Sequence, residues 1–345
     1  MKAFSYLKDK KLTLLDRERP RAKDDSVVVK ILSAAICGTD LRTYRFGSDR
    51  IVAPRTIGHE ACGEIQEVGK NVRGFEPGDR VMTVPAIGCG HCRWCKQGAT
   101  NMCENLKTVG FDYDGTFAEY MEVPEQAISM GNLLHIDDSI PTEQAVIVEP
   151  AACCLNGQSF LNIGPEDIVF IFGAGFIGCI HAEFAMIKGA KRIILSDISD
   201  ARLEIVKRVL PQVTTINTMK TDVMQFIQEF TSGRGADVII TAAPSGAAQT
   251  SALAIAATRA RISLFGGLPG EGAGFLNSNT IHYKELSLFG SHASTVAQNK
   301  QVLSWISSGK IDLHKYVSAS FPLEKIEDAF ESLKSEKMVK VLITP

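Results

Sequence analysis

The sequence has no long apolar run, no block of like charge, no internal repeat and no low-complexity tract. Its longest apolar stretch, residues 168–180 (IVFIFGAGFIGCI), is too short and too rich in glycine to span a bilayer, so no membrane partner is expected. The first twenty residues contain no apolar h-region, which predicts no secretory signal and a cytoplasmic location. Lys and Arg number 37 against 39 Asp and Glu, for a formal net charge of −2. These charges form no arm or stripe, so neither nucleic acid nor a membrane surface is an expected partner. At 45% hydrophobic and 22% charged residues the composition excludes a disordered chain, and 345 residues suggest two domains.

Cysteine, by contrast, is plentiful and clustered. Four of nine thiols, Cys89, Cys92, Cys95 and Cys103, fall in the stretch CGHCRWCKQGATNMC. In a reducing compartment C-x2-C spacing points to zinc rather than to disulfides. Gly88, Gly90 and Gly98 let the loop fold its sulfurs round one ion. Four thiolates fill a tetrahedral shell, so this zinc would be structural, with no position left for a substrate. Arg93, Trp94 and Lys96 would give a nucleic-acid module only a small basic face, and no second module accompanies it.

From about residue 166 to 290 short β-branched runs alternate with helical stretches, the sign of a parallel sheet with crossover helices. The expected strands are 168–172, 192–197, 236–242, 261–267 and 285–291. Gly173-Ala174-Gly175-Phe176-Ile177-Gly178 follows the first strand and opens a helix. Asp197 ends the second strand, which makes the turn a dinucleotide fingerprint. Gly173 permits the tight turn, Gly175 lets a pyrophosphate approach, and Gly178 packs helix on strand. The helix N-terminus, with Phe176 and Ile177 in its first turn, receives the phosphates. Asp197 would accept from the adenosine-ribose hydroxyls and repel a 2′-phosphate, favouring NAD over NADP. Arg202, in the following helix, is included in this cofactor site. The first 145 residues read instead as short strands with glycine turns. Helices are expected at about 295–308 and 324–334, and a closing strand at VKVLIT.

The stretches AAICGTDLRTY and RTIGHEACGEI offer Cys37, His59 and Glu60, and VEPAACCLNG adds Glu149. A thiolate, an imidazole and carboxylates suit an open zinc site, although spacing alone does not join such distant pieces. Their order does. Cys37-Gly-Thr39-Asp40, Gly58-His59-Glu60, the cysteine lobe, Glu149-Pro150 and the GAGFIG turn together resemble the zinc-containing medium-chain dehydrogenases, nearest to the sorbitol-like polyol branch. The resemblance covers nearly the whole chain.

It implies an α/β Rossmann domain (residues 149–289, a doubly wound parallel sheet) and a mainly β GroES-like catalytic domain (1–148 and 290–345). The latter would carry the zinc lobe at about 88–104. It further implies an active site in the cleft, a homodimer or homotetramer, and two zinc ions per chain beside NAD. Cys37 and His59 would ligate the catalytic zinc, completed by Glu60 or Glu149 directly or through water. Asp40 would orient the ligand imidazole, and Thr39 would take the substrate proton. The implied reaction moves hydride from a secondary alcohol of a polyol, sugar alcohol or polyol phosphate to NAD, giving a ketose-type product.

Two departures bear on the substrate. Arg42 stands where many members carry a relay histidine, and arginine cannot accept a proton. Ala293-Ser294, after His292, replaces an Arg-Tyr pair that contacts polyol hydroxyls, which argues against sorbitol itself. Arg42, Arg45, Arg50 and Arg55 outnumber Asp40 and Asp49 in the segment between Cys37 and His59. They read either as a solvated loop face or as a clamp for an anionic group. L-threonine dehydrogenases share the Cys-Gly-Thr-Asp-Leu run, so amino-alcohol oxidation is the alternative. A catalytically dead nucleotide-binding protein on this fold is a further one, opposed by the intact Cys37, Thr39 and His59. Cys62, Cys153, Cys154 and Cys179 read as small buried hydrophobes, and His91 as a bystander of the lobe.

Overall fold

The computed structural model describes residues 1–268 and 276–345. The chain forms two compact units, one of residues Met1–Ala152 with Ala293–Pro345, the other of Cys153–His292. No helix among the described residues is long and apolar enough to cross a membrane.

The first unit is built on the strand Val27–Ala35. Seven of its nine residues are buried, as a run of Val, Ile and Ala covered on both faces should be. It pairs antiparallel with Glu60–Val68 on one side, where Ala35 faces Glu60. On the other side it pairs antiparallel with the closing strand Lys340–Thr344, where Leu342 faces Ala35. Tyr120–Val123 pairs with the start of the same strand. The C-terminus is therefore a central part of this sheet. Its helix Ile326–Ser332 supplies Phe330, fully buried and stacked on Tyr44 at 4.6 Å between ring centroids. Truncating such a ring to alanine costs about 3–5 kcal/mol. The cysteine lobe hangs on a two-residue ladder, Ala86–Ile87 against Lys107–Thr108.

The second unit is a six-stranded sheet, and every pair in it is parallel. Its strand order is Thr214–Asn217, Arg192–Asp197, Ile168–Phe172, Ala236–Thr241, Ala256–Leu264 and Ser287–Gly290. Ile168–Phe172 lies in the middle and is buried at every residue, as a strand covered by helices on both faces must be. Taken in chain order from that strand, the sheet grows to one edge and then to the other, the doubly wound pattern.

Two strands escape the sequence reading. Thr214–Asn217 and Val317–Pro322 are short and half exposed, without the apolar run that marks the others. A third, Ala256–Leu264, begins earlier than its apolar core, because a register shift and a positive φ at Arg259 (61°) absorb the polar residues.

Candidate active site and metal centres

In the lobe, the sulfurs of Cys89, Cys92, Cys95 and Cys103 all lie within 4.8 Å of one another. Backbone N–H groups point at them: Cys89 and Asn105 donate to Cys103 Sγ at 3.2 and 3.3 Å, and Cys92 to Cys89 Sγ at 3.4 Å. Such donors favour thiolate, and N–H groups of Cys95 and Glu104 bring Cys92 down to about 6. Burial pushes Cys95 up to about 12. Four sulfurs this close cannot all carry charge without a cation among them, and all-sulfur donors suit zinc. Gly88 is required here, since a Cβ on it would sit 2.8 Å from Cys95 Sγ. His91 is exposed and its Nδ1 lies 2.9 Å from the Cys89 carbonyl oxygen, outside the sulfur cluster.

The second cluster is assembled from distant segments. Cys37 caps the helix Gly38–Phe46 just after the central strand, and its N–H donates to Asp40 Oδ2 at 2.9 Å. His59 and Glu60 stand at the start of the neighbouring strand. One donor atom from each of Cys37, His59 and Glu60 falls within 4.8 Å of the others. Asp40, 3% exposed, places Oδ1 3.4 Å from His59 Nδ1. Burial works against a charge on His59, but Asp40 and Cys37 outweigh it and hold the imidazole well above its ordinary pKa. The pocket thus favours positive charge at this point.

The fit to a metal ion is direct. Both Glu60 carboxylate oxygens are buried without a hydrogen-bond partner, while His59 Nδ1 faces Asp40 at 3.4 Å. Orphaned donors of that kind, beside a thiol, suit a zinc site. Glu60, rather than Glu149, stands within the cluster. Glu149 is 5% exposed in the first turn of the helix Val148–Ser159, and its charge acts on Glu60. Thr39 is half-buried beside Asp40.

Sequence reasoning missed Lys340. It is 4% exposed, and its Nζ lies 2.5 Å from Glu60 Oε2 and donates to the Ile36 carbonyl at 3.0 Å. The contact with Glu60 is a close charge pair between two buried side chains. The available signal was a lysine inside the apolar closing strand.

In the other unit, Gly173 takes φ +107° at the fingerprint turn, and a Cβ on Gly178 would meet Gly173 O at 1.8 Å. The turn leads into the helix Phe176–Ile187, with Phe176 buried. Asp197 braces the turn: Oδ2 accepts from Ala174 N–H at 2.7 Å and Oδ1 from Ser199 N–H at 3.0 Å. Each oxygen keeps a second lone pair for a ribose hydroxyl. Arg202 sits 3.8 Å from Asp197.

The four arginines separate in the fold. Arg55 is half-buried and lies 3.7 Å from Asp114, and Arg42 and Arg45 are exposed on the helix Gly38–Phe46. Arg50 is exposed too, but lies over the Phe111 ring at 4.9 Å, and Phe111 lies 6.5 Å from the His59 ring. Ser294 is buried and accepts a hydrogen bond from Asn299 Nδ2 at 3.0 Å. Cys62, Cys154 and Cys179 are buried, whereas Cys153 is partly exposed, contrary to its reading as a buried hydrophobe.

Residues 23–132 match the family model for the alcohol dehydrogenase GroES-like domain, and residues 177–308 the model for zinc-binding dehydrogenases. The L-threonine 3-dehydrogenase of Pyrococcus horikoshii is 33% identical over 336 residues, covering 95% of this chain and 94% of that protein. A structure described as short chain alcohol dehydrogenase RspB of Escherichia coli CFT073, in complex with NADH, aligns with TM-score 0.91 at 31% identity, over 100% of this chain and 99% of that one. Galactitol-1-phosphate dehydrogenase of Escherichia coli aligns with TM-score 0.88 at 28% identity over the whole of both chains.

Proposed function

The chain belongs to the zinc-binding alcohol dehydrogenase family with a GroES-like domain, and from that premise we propose that it oxidises a secondary alcohol bearing further polar groups. The observation that carries this is the cluster of Cys37, His59 and Glu60, with orphaned donor atoms in a unit separate from the dinucleotide turn. Zinc bound there supplies Lewis acidity, lowering the pKa of an alcohol at the site. NAD bound at the Gly173–Gly178 turn supplies the hydride acceptor.

The chain's own residues do the rest. Cys37, His59 and a carboxylate hold the metal, and Asp40 fixes both the Cys37 loop and the His59 ring. Thr39 takes the hydroxyl proton. Arg42 is exposed and cannot accept that proton, so it leaves through water at the half-buried Thr39. Asp197 sets the preference for NAD. The family resemblance implies that the enzyme is a homodimer or homotetramer.

Two substrate readings stand. The first is a polyol, sugar alcohol or polyol phosphate, giving a ketose-type product. The second, favoured by the name of the Pyrococcus relative, is threonine-like amino-alcohol oxidation. Polyol phosphates and threonine both carry an anionic group near the reacting carbinol, and Arg50, over the Phe111 ring, would be the cation to meet it on this reading. NADH formation over a panel of neutral polyols, their phosphates and L-threonine tests this. The reading predicts that a charged member gives the highest kcat/KM and that Arg50→Ala costs that substrate about tenfold, or ~1.4 kcal/mol. A neutral polyol that equals its phosphate and is indifferent to Arg50→Ala overturns the anion reading.

A further inference from the structure

Lys340 occupies an unusual position for a lysine. The sheet places the closing strand directly beside the central strand, and Ile36 N–H donates to the Val341 carbonyl at 3.0 Å. Lys340 therefore arrives level with Cys37, from the far end of the chain. Its ammonium touches both sides of the site: the carbonyl of Ile36, which precedes Cys37, and the carboxylate of Glu60. The groups facing it are anionic. Glu60 is 0% exposed and Asp40 3%, and both act on the ammonium, as does Cys37 from the same donor cluster as Glu60. A buried lysine is costly to keep charged unless such partners surround it.

Glu60 is thus shared between two cations. It stands in the donor cluster of Cys37 and His59, and it also touches Lys340. Each cation that holds the carboxylate weakens the hold of the other. We propose that Lys340 is a positioning residue that competes with the metal for Glu60, keeping this carboxylate from full ligation so that a coordination position stays open for substrate. The proposal rests on the reading of Cys37, His59 and Glu60 as a zinc site. It assigns Lys340 the opposite effect from a simple structural role: a lysine that only braced the sheet would, when removed, loosen the site and speed metal loss.

The test follows zinc release from the zinc-loaded full chain into a metallochromic chelator. The cysteine lobe supplies a separate kinetic phase as an internal control. Lys340→Met is expected to slow release from the second site at least tenfold and to lower kcat, while the lobe phase stays unchanged. Lys340→Arg, which keeps the charge, is expected to release zinc close to the parent rate. In a Glu60→Gln background most of the slowing by Lys340→Met should vanish, because the contested carboxylate is gone. If Lys340→Met alone does not fold, Lys340→Gln, which keeps a hydrogen-bond donor for the Ile36 carbonyl but no charge, is expected to slow release in the same way. Release from Lys340→Met at the parent rate or faster overturns the proposal, and so does undiminished slowing in the Glu60→Gln background. A parent chain with no second zinc phase overturns the metal-site reading instead, a separate and recognisable result.

Discussion

The two donor clusters of the GroES-like unit span the same few ångströms and are built in opposite ways. The lobe draws four sulfurs from fifteen consecutive residues and arranges backbone N–H groups around them. The other cluster takes a thiol, an imidazole and a carboxylate from two strand ends, sets Asp40 behind one ligand, and sets Lys340 against another. A local, uniform, fully occupied shell stabilises a loop. A distributed, mixed shell with an internal competitor for one ligand leaves room for chemistry. The difference teaches that a cation placed next to a metal ligand is as informative about function as the ligand itself.

The largest expected effects separate the clusters cleanly. Cys95→Ser should cost several kcal/mol or prevent folding of the lobe, because closed zinc shells contribute folding energy directly. Thermal unfolding with and without a chelator checks this. Cys37→Ser should lower kcat about a thousandfold or more, ~4 kcal/mol in barrier, while the melting temperature stays close to the parent's. If Cys95→Ser stays as stable as the parent and lacks only activity, the two roles are reversed.

A smaller effect lies outside both clusters and must be subtracted when they are compared in acid. His181, fully buried in the dinucleotide unit, is held neutral by burial, with its pKa lowered to about 3. In the unfolded chain it titrates near 6.5. The folded state binds the proton less well, so His181 costs no stability above about pH 6.5. Stability is then lost progressively as pH falls from there towards 3. Between pH 6.5 and 5 the loss is about 2 kcal/mol. Urea midpoints for the parent and His181→Gln should converge on acidification. Parallel curves would show that His181 does not stay neutral in the fold.

Smaller still is the cofactor effect. Asp197→Ala should erode the preference for NAD over NADP by about tenfold, ~1.4 kcal/mol, and because Asp197 also braces Ala174 N–H, the NAD KM should rise too. Equal kcat/KM for both cofactors in the parent contradicts the ribose role.

What was legible in the sequence follows from range. The lobe and the Gly173–Gly178 turn are local, so residue types at fixed spacing carry their geometry. The parallel sheet was legible from its apolar strands, and Thr214–Asn217 was not, since it is short, polar and half exposed. Cys37 and His59 were joined by motif order, not by spacing. The choice between Glu60 and Glu149, the role of Lys340 and the separation of Arg50 from its three neighbours all depend on sheet register and ring packing between distant segments. No local pattern encodes those.

Two zinc ions held in one protein unit by unlike means are counted directly as metal content. Elemental analysis of the purified chain should give close to two zinc per chain, one for each cluster. Cys37→Ser should retain the lobe's zinc alone and remain folded. A parent carrying a single zinc, or a Cys37→Ser variant that still carries two, would contradict the account.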